Sequence, residues 1–198
     1  MGLPKLKTKT SVEEYLKSEK ISSVKREYVD GKVYAMAGTS DNHARIAINL
    51  STALSIHLRD SSCEPFSSDI KVRVSPKVYY YPDILVSCEE NPENPYFRNE
   101  PTLIIEVASP STKRTDRSEK LLYYLQMPSL REYVIIDQHK MNVEIHRRQT
   151  DGGWITYYFD EPDDMVEFTS VELTLPITEI YRRVKFENRD ADHTEEEY

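Results

Sequence analysis

The chain has 198 residues, of which 38% are hydrophobic and 30% are charged, so it can form one domain with a sizeable core. No apolar stretch approaches the roughly 20 residues needed to span a bilayer, and the first residues lack the apolar segment of a secretory signal. We therefore expect a cytoplasmic protein. The two cysteines, Cys63 and Cys88, are too few for a disulfide framework or a structural zinc site, and we expect buried free thiols.

The formal net charge is -8, which is unusual for a protein that binds nucleic acid. Residues 187–198 (ENRDADHTEEEY) carry six acids and one Arg, and therefore account for -5 of this total. We interpret this segment as an acidic, disordered tail and residues 1–186 as a single domain. The five glycines form neither GxGxxG nor GxxxxGK, which argues against a dinucleotide enzyme or a P-loop ATPase.

The first third of the chain predicts two helices and a hairpin. Ser11 and Glu14 form a capping box for a helix over residues 11–19. Two alternating runs, 24–29 and 32–37, flank Asp30-Gly31, a pair suited to a tight hairpin turn. A long amphipathic helix then covers residues 41–59, with a cap at Thr39, Ser40 or Asp41. Its predicted buried stripe is Ala47, Leu50, Leu54 and Leu58.

The rest of the chain predicts mostly strands with one further helix. The predicted strands are 63–66, 69–74, 78–87, 102–108, 131–137, 142–149, 154–159 and 165–168, and the helix covers residues 116–126 before Pro128. Strands around two main helices indicate an α+β or mixed α/β fold with one sheet. The stretch TLIIEVA is apolar on both faces apart from Glu106, which is typical of a central strand covered on both sides.

Two carboxylates in apolar strands are the sharpest chemical signal. Glu106 is costly to bury without a cation, hydrogen bonds or a proton. Asp83 follows Pro82 and opens the apolar stretch ILV. If the two strands are neighbours, these carboxylates converge, and two hard oxygen ligands suit Mg²⁺. Lys120, on the helix after Glu106, can point back toward that strand and stabilise negative charge or orient water.

Six stretches carry a family resemblance: EYVDGKVYAMAGTSDNHARI, SSDIKVRV, YYYPDILV, LIIEVASPSTKRTDRSEKLLYY, LREYVIID and LPITEIY. Together they resemble the Uma-type restriction endonucleases of the PD-(D/E)XK nuclease superfamily. The resemblance implies a restriction-endonuclease-like central mixed sheet flanked by helices, with additional antiparallel strands. The superfamily motif has Lys two residues after the Glu, where this chain has Ala108, so the resemblance implies that Lys120 takes over that role.

The resemblance further implies a Mg²⁺-dependent DNA endonuclease, with Mn²⁺ as a substitute, that forms a homodimer and uses no nucleotide cofactor. Asp83 and Glu106 would bind the metal, Glu27 would complete the acidic cluster, and Lys120 would stabilise the attacking hydroxide and the transition state. Other candidates support these groups or contact DNA. The supporting candidates are His43, Asp69 and Ser109, and the candidates for phosphate contacts are Lys113, Arg114 and Arg117.

Two other functions fit the same residues. The missing lysine at position 108 and the negative total charge are consistent with a catalytically inactive nuclease fold kept as a binding or assembly module. A small-molecule phosphoesterase is also open, because a carboxylate metal site does not select its ester. The sequence does not distinguish DNA from RNA or indicate a target sequence.

Overall fold

A computed structural model describes residues 9–36, 38–90, 94–109 and 116–186. The acidic segment 187–198 and the candidate phosphate contacts Lys113 and Arg114 lie outside these residues. No helix in the described ranges is long and apolar enough to cross a membrane.

Four α-helices and thirteen strands form the described part of the chain. The α-helices are α1 (Val12–Glu19), α2 (Asp41–His57), α3 (Leu121–Tyr124) and α4 (Ile177–Ile180), with a π-helical turn at Asp116–Lys120 and a 3-10 turn at Thr169–Val171. The strands are β1 (Arg26–Val29), β2 (Lys32–Ala35), β3 (Glu64–Ser67), β4 (Lys71–Ser75), β5 (Val78–Tyr80), β6 (Ile84–Ser87), β7 (Phe97–Arg98), β8 (Pro101–Ala108), β9 (Glu132–Asp137), β10 (Val143–Arg148), β11 (Trp154–Phe159), β12 (Met165–Phe168) and β13 (Leu173–Pro176).

The strands of the described chain form two larger sheets and one strand pair. A six-stranded mixed sheet has the order β11-β10-β9-β8-β6-β3, in which only β8 and β9 run parallel. A five-stranded sheet has the order β2-β1-β5-β4-β7, and β12 pairs with β13. The mixed α+β class is confirmed, with β8 as a central strand of the mixed sheet.

The prediction of one sheet is wrong, because the predicted strand 78–87 is two strands. Tyr81, Pro82 and Asp83 interrupt it, so that β5 belongs to the five-stranded sheet and β6 to the six-stranded sheet. Pro82 has no backbone N–H to donate to a neighbouring strand, which favours a break here. The segment 81–83 therefore connects the two sheets at the position of a candidate site residue.

Helix α2 packs on one face of the six-stranded sheet. Its buried residues Ile46, Leu50 and Leu54 join Ile105 and Val107 of β8 in one core cluster. Ile46, rather than the predicted Ala47, lies in the buried stripe, and Ala47 is half-buried. Because side chains alternate along a strand, Glu106 points to the opposite face, where Ile104 and Ala108 belong to a second core cluster.

Local signals for the first helix and the hairpin are confirmed. Ser11 and Glu14 exchange both capping-box hydrogen bonds at the start of α1. Asp30 and Gly31 connect β1 to β2 with φ angles of 44° and 92°, a conformation that glycine adopts at little cost. The predicted helix 116–126 instead begins with the π-helical turn and ends as α3 at Tyr124.

The two cysteines form a disulfide, so the expectation of free thiols is wrong. Strands β3 and β6 are antiparallel neighbours in which Glu64 pairs with Ser87. The next pair along this register is Cys63 and Cys88. Cross-strand partners of this kind have adjacent side chains, and the sequence alone does not reveal that the two strands pair.

Candidate active site

The pairing of β6 with β8 brings the two candidate carboxylates together. Ile84 pairs with Ile105, so Asp83, just before β6, lies opposite Glu106. The Val107 N–H donates to Asp83 Oδ2 at 2.7 Å, which fixes the Asp83 side chain against β8. The sequence-based condition for convergence, that these strands are neighbours, is therefore met.

Lys120 points back from its helix toward β8. Its Nζ lies 3.0 Å from Glu106 Oε1, 3.1 Å from Glu27 Oε1 and 3.6 Å from Asp116 Oδ1. The Lys120 side chain is only 7% exposed, so these contacts are made away from water. The π-helical turn holds Asp116 and Lys120 together, and both are buried. One ammonium group thus joins acids from β1, β8 and its own helix.

Tyrosines that the sequence analysis did not select surround this ion-pair cluster. The Tyr124 hydroxyl donates to Glu106 Oε1 at 3.2 Å, from one turn after Lys120. The ring of Tyr80 lies 5.5 Å from Lys120 Nζ, close enough for a cation–π contact. The four-residue spacing from Lys120 could have identified Tyr124 as a further site residue, because residues four apart share one helix face.

The cluster contains more negative than positive charge. Burial raises the pKa of Glu106 well above its usual value, and the nearby carboxylates of Asp116, Asp83 and Glu27 raise it further, while the Lys120 ammonium acts in the opposite direction. Burial alone would lower the pKa of Lys120. The three carboxylates in contact with it outweigh burial and raise this pKa well above its usual value. Lys120 is therefore an ammonium ion at neutral pH.

The N-terminus of α2 reaches the same site. His43 Nε2 lies 3.1 Å from Asp83 Oδ2. Ser40 caps α2 and accepts from the His43 N–H, and its hydroxyl also donates to the Gln138 side chain. Gln138 in turn donates to the Ala108 carbonyl at 3.2 Å. Hydrogen bonds thus fix the beginning of α2, and with it His43, to the end of β8.

Other candidate residues lie outside this cluster. Asp69 is at the surface, with a side chain that is 74% exposed, and forms an ion pair with Lys25 at 2.6 Å. Its predicted role of holding a metal ligand gains no support from this position. Ser109 is half-buried directly after β8. Arg117 Nε contacts Glu144 Oε2 of β10 at 2.9 Å, so part of its guanidinium is already bound within the protein.

The three carboxylates predicted as metal ligands already have partners within the protein. Among the described residues, no group of three or more His, Cys, Asp or Glu side chains is arranged to hold a metal ion. Glu27 instead accepts from Lys120 and from the Tyr81 N–H. Asp83 and Glu106 remain suitable as a pair, because the hydrogen bonds and ion pairs given above within the described ranges engage Asp83 Oδ2 and Glu106 Oε1. The excess of negative charge around them also favours a cation.

Comparisons with known proteins identify the family of this chain. Residues 12–178 match the family Uma2, described as "Putative restriction endonuclease". The curated relative "Uncharacterized protein slr1290" from Synechocystis sp. is 35% identical over 180 residues, which cover 90% of this chain and 94% of the relative. "Uncharacterized protein sll1609" from the same organism is 32% identical over 168 residues, or 81% and 93% of the two chains.

A solved structure has the same fold. The crystal structure of "a putative nuclease belonging to DUF820" from Anabaena variabilis superposes with a TM-score of 0.69 and covers 86% of this chain and 97% of its own. Its sequence identity is 23%, so this likeness is one of fold. Because the family match spans most of the chain and includes every residue of the ion-pair cluster, the protein belongs to the Uma2 family of restriction-endonuclease-like proteins.

Proposed function

We propose that the protein is a metal-dependent endonuclease that hydrolyses phosphodiester bonds of DNA. The observation that carries this proposal is the buried Lys120 ammonium in contact with Glu106, on the strand next to Asp83. This combination of two carboxylates and a lysine can bind a cation and stabilise the negative charge of a phosphoryl group. The Uma2 family is described as "Putative restriction endonuclease" and the Anabaena protein as "a putative nuclease", and both descriptions support the same class of enzyme.

The residues present fit a hard divalent cation such as Mg²⁺ or Mn²⁺. Asp83 and Glu106 would hold the ion through carboxylate oxygens, the ligand type that Mg²⁺ prefers. A bound ion would lower the pKa of a water molecule and stabilise charge on the phosphoryl oxygens. Glu27 would act on Lys120 rather than on the metal, because it already accepts from that ammonium at 3.1 Å.

The protein groups then have distinct roles. Lys120 is protonated, so it cannot accept a proton from water and acts as a hydrogen-bond donor and positive charge. Tyr124 restricts Glu106 by donating to the same oxygen as Lys120. His43, at the beginning of α2, restricts Asp83 through the contact of its Nε2 with Asp83 Oδ2. These contacts preorganise the carboxylates, which reduces the rearrangement needed during the reaction.

Isothermal titration with Mg²⁺ and Mn²⁺, combined with nicking of supercoiled plasmid, tests the proposal. We expect the wild type to bind the ion and nick DNA, Glu106→Gln to lose both activities, and Lys120→Met to lose nicking. Asp60→Asn is a control that removes one carboxylate at a side chain that is 88% exposed. This variant should bind the metal and nick DNA like the wild type.

Three outcomes would contradict the proposal in different ways. Metal binding without nicking, together with turnover of a small phosphate ester, would indicate a phosphoesterase. Metal-independent binding of nucleic acid or protein that survives Glu106→Gln, in a protein that neither binds Mg²⁺ or Mn²⁺ nor nicks DNA, would indicate an inactive binding module. Nicking that persists in Glu106→Gln would place the chemistry elsewhere. The homodimer stays a prediction, and light scattering of the purified protein would test it.

A further inference from the structure

We propose that residues 182–186, here called the basic strap, bind the phosphates of a nucleic-acid strand next to the active site and stack Phe186 on one of its bases. This inference rests on the proposed function for the nature of the partner. The strap has the sequence RRVKF, directly before the acidic segment 187–198. Arg182, Arg183, Lys185 and Phe186 are exposed, whereas Val184 packs against the core.

Hydrogen bonds from α2 fix the strap near the candidate active site. The Asn42 side chain donates to the Lys185 carbonyl at 2.7 Å and accepts from the Lys185 N–H at 3.2 Å. Asn49, two turns further along α2, donates to the Arg182 carbonyl at 2.9 Å. The residue after Asn42 is His43, which contacts Asp83. The strap therefore crosses the half of α2 that begins at the active site.

The strap itself carries three exposed cations despite the negative total charge of the chain. Arg182 is 3.6 Å from Glu179, but both side chains are more than half exposed, so this pair is weak and screened by salt. Lys140, exposed in the β9–β10 turn, adds a cation to the same region, since the Tyr181 hydroxyl accepts from the Asn142 N–H of that turn. Local potential, rather than net charge, governs the binding of a polyanion.

Phe186 offers a surface for a base. Its side chain is exposed, and its ring centroid lies 5.5 Å from that of Tyr181. Tyr181 is itself buried, and its hydroxyl donates to the Asp137 carbonyl at 2.9 Å, so it supports Phe186 from a fixed position. An exposed aromatic ring beside basic residues is the combination with which proteins hold an unpaired strand.

The backbone of the strap has an unusual conformation at one residue. Arg183 has a φ angle of 64°, in the left-handed region that residues with side chains rarely adopt. Such conformations persist where the surrounding contacts impose them, and they occur often at functional sites. Here the imposed turn keeps Arg182 and Lys185 on the surface on either side of Val184, which is partly buried in the core.

Fluorescence anisotropy with a labelled single-stranded oligonucleotide tests the strap directly. Wild-type protein is measured in EDTA over a series of salt concentrations, so that binding is observed without metal-dependent cleavage. Neutralising the three cations in Arg182→Gln/Arg183→Gln/Lys185→Gln should reduce the slope of log K against log salt by about 2, at about 0.7 for each phosphate contact on a single strand. The matched control Lys17→Gln/Lys32→Gln/Lys77→Gln removes three exposed lysines elsewhere and should change the slope little.

Phe186→Leu separates stacking from charge. It should weaken binding by about tenfold, the lower half of the range for one stacked base, without changing the salt slope. Thermal unfolding would establish that each variant is folded. An unchanged slope in the strap variant, an equal decrease in the control, or no binding by the wild type at 50 mM salt would overturn the inference. If the wild type cleaves DNA but the strap variant binds the oligonucleotide as the wild type does, only the proposed role of the strap is refuted. If binding depends on the strap but the wild type cleaves no DNA, only the proposed nuclease activity is refuted.

Discussion

Replacing the buried Lys120 cation tests whether the ion-pair cluster stabilises the fold. In Lys120→Met the apolar side chain has a similar length, but Glu106, Glu27 and Asp116 lose their contacts at 3.0, 3.1 and 3.6 Å. Each contact attracts by about 5 kcal/mol at an effective dielectric constant of about 20, before the cost of desolvation. Removal of one partner from a buried ion pair costs about 3–5 kcal/mol net, since the remaining charges stay buried.

For a chain of this length, that loss corresponds to a decrease in Tm of about 6–20 °C. Calorimetry or urea unfolding at pH 7 in EDTA measures it without a contribution from bound metal. Lys9→Met is the matched control, because the Lys9–Asp30 pair has a similar distance of 3.2 Å but side chains that are 68% and 59% exposed. An exposed pair contributes at most about 1 kcal/mol, so its removal should lower Tm by less than about 4 °C.

A double variant distinguishes charge from packing. In Glu106→Gln/Lys120→Met one of the buried acids becomes neutral, and we expect it to be about 1–3 kcal/mol more stable than Lys120→Met. If Lys120→Met is destabilised by no more than Lys9→Met, or if Glu106→Gln worsens it, the electrostatic account of this cluster is wrong.

Three further predictions concern other contacts. Tyr124→Phe removes the hydrogen bond to the Glu106 carboxylate and should lower kcat by about tenfold with little change in KM. If Tyr124 has only a structural role, the variant should instead have a lower Tm and an unchanged kcat in the folded fraction. Native protein should contain no titratable thiol, and reduction of Cys63–Cys88, which are separated by 25 residues, should lower the free energy of unfolding by roughly 3.5 kcal/mol. Burial alone would raise the pKa of Glu144, but hydrogen bonds from His146 and Arg117 outweigh burial and lower this pKa. The ionised Glu144 therefore stabilises the fold fully above the unfolded pKa of 4.5, and this stabilisation is lost as pH falls through the lower folded pKa. Unfolding of Glu144→Gln and wild type between pH 7 and 3 should give a stability difference that decreases below about pH 4.5, and a constant difference would contradict this assignment.

Several features of the protein follow from local sequence. The alternation and turn residues around Asp30 and Gly31 specify a hairpin, because only a few residues adopt the backbone angles that the turn needs. The apolar run around Glu106 identifies both a central strand and a carboxylate that requires a partner. These properties depend on neighbours within a few residues, so they can be predicted without knowing where distant segments lie.

Other features depend on which segments meet. The break between β5 and β6 depends on pairing with different sheets, which the continuous apolar pattern of residues 78–87 conceals. The disulfide depends on the register of β3 and β6, and the contact of Tyr124 with Glu106 depends on how the helix packs on the sheet. A hydrophobic period specifies which face is buried but not its partner.

The sequence by itself determined the mixed fold class, the hairpin, the first two helices and the identity of the candidate carboxylates and lysine. Only the tertiary structure decided that Lys120 lies between Glu106 and Glu27, that Glu27 binds this ammonium, and that Asp69 is at the surface. The physical reason is that burial and charge act over a few ångströms in space. Residues 27, 83, 106 and 120 are far apart along the chain, and their interaction exists only after the two sheets and the helix have packed together.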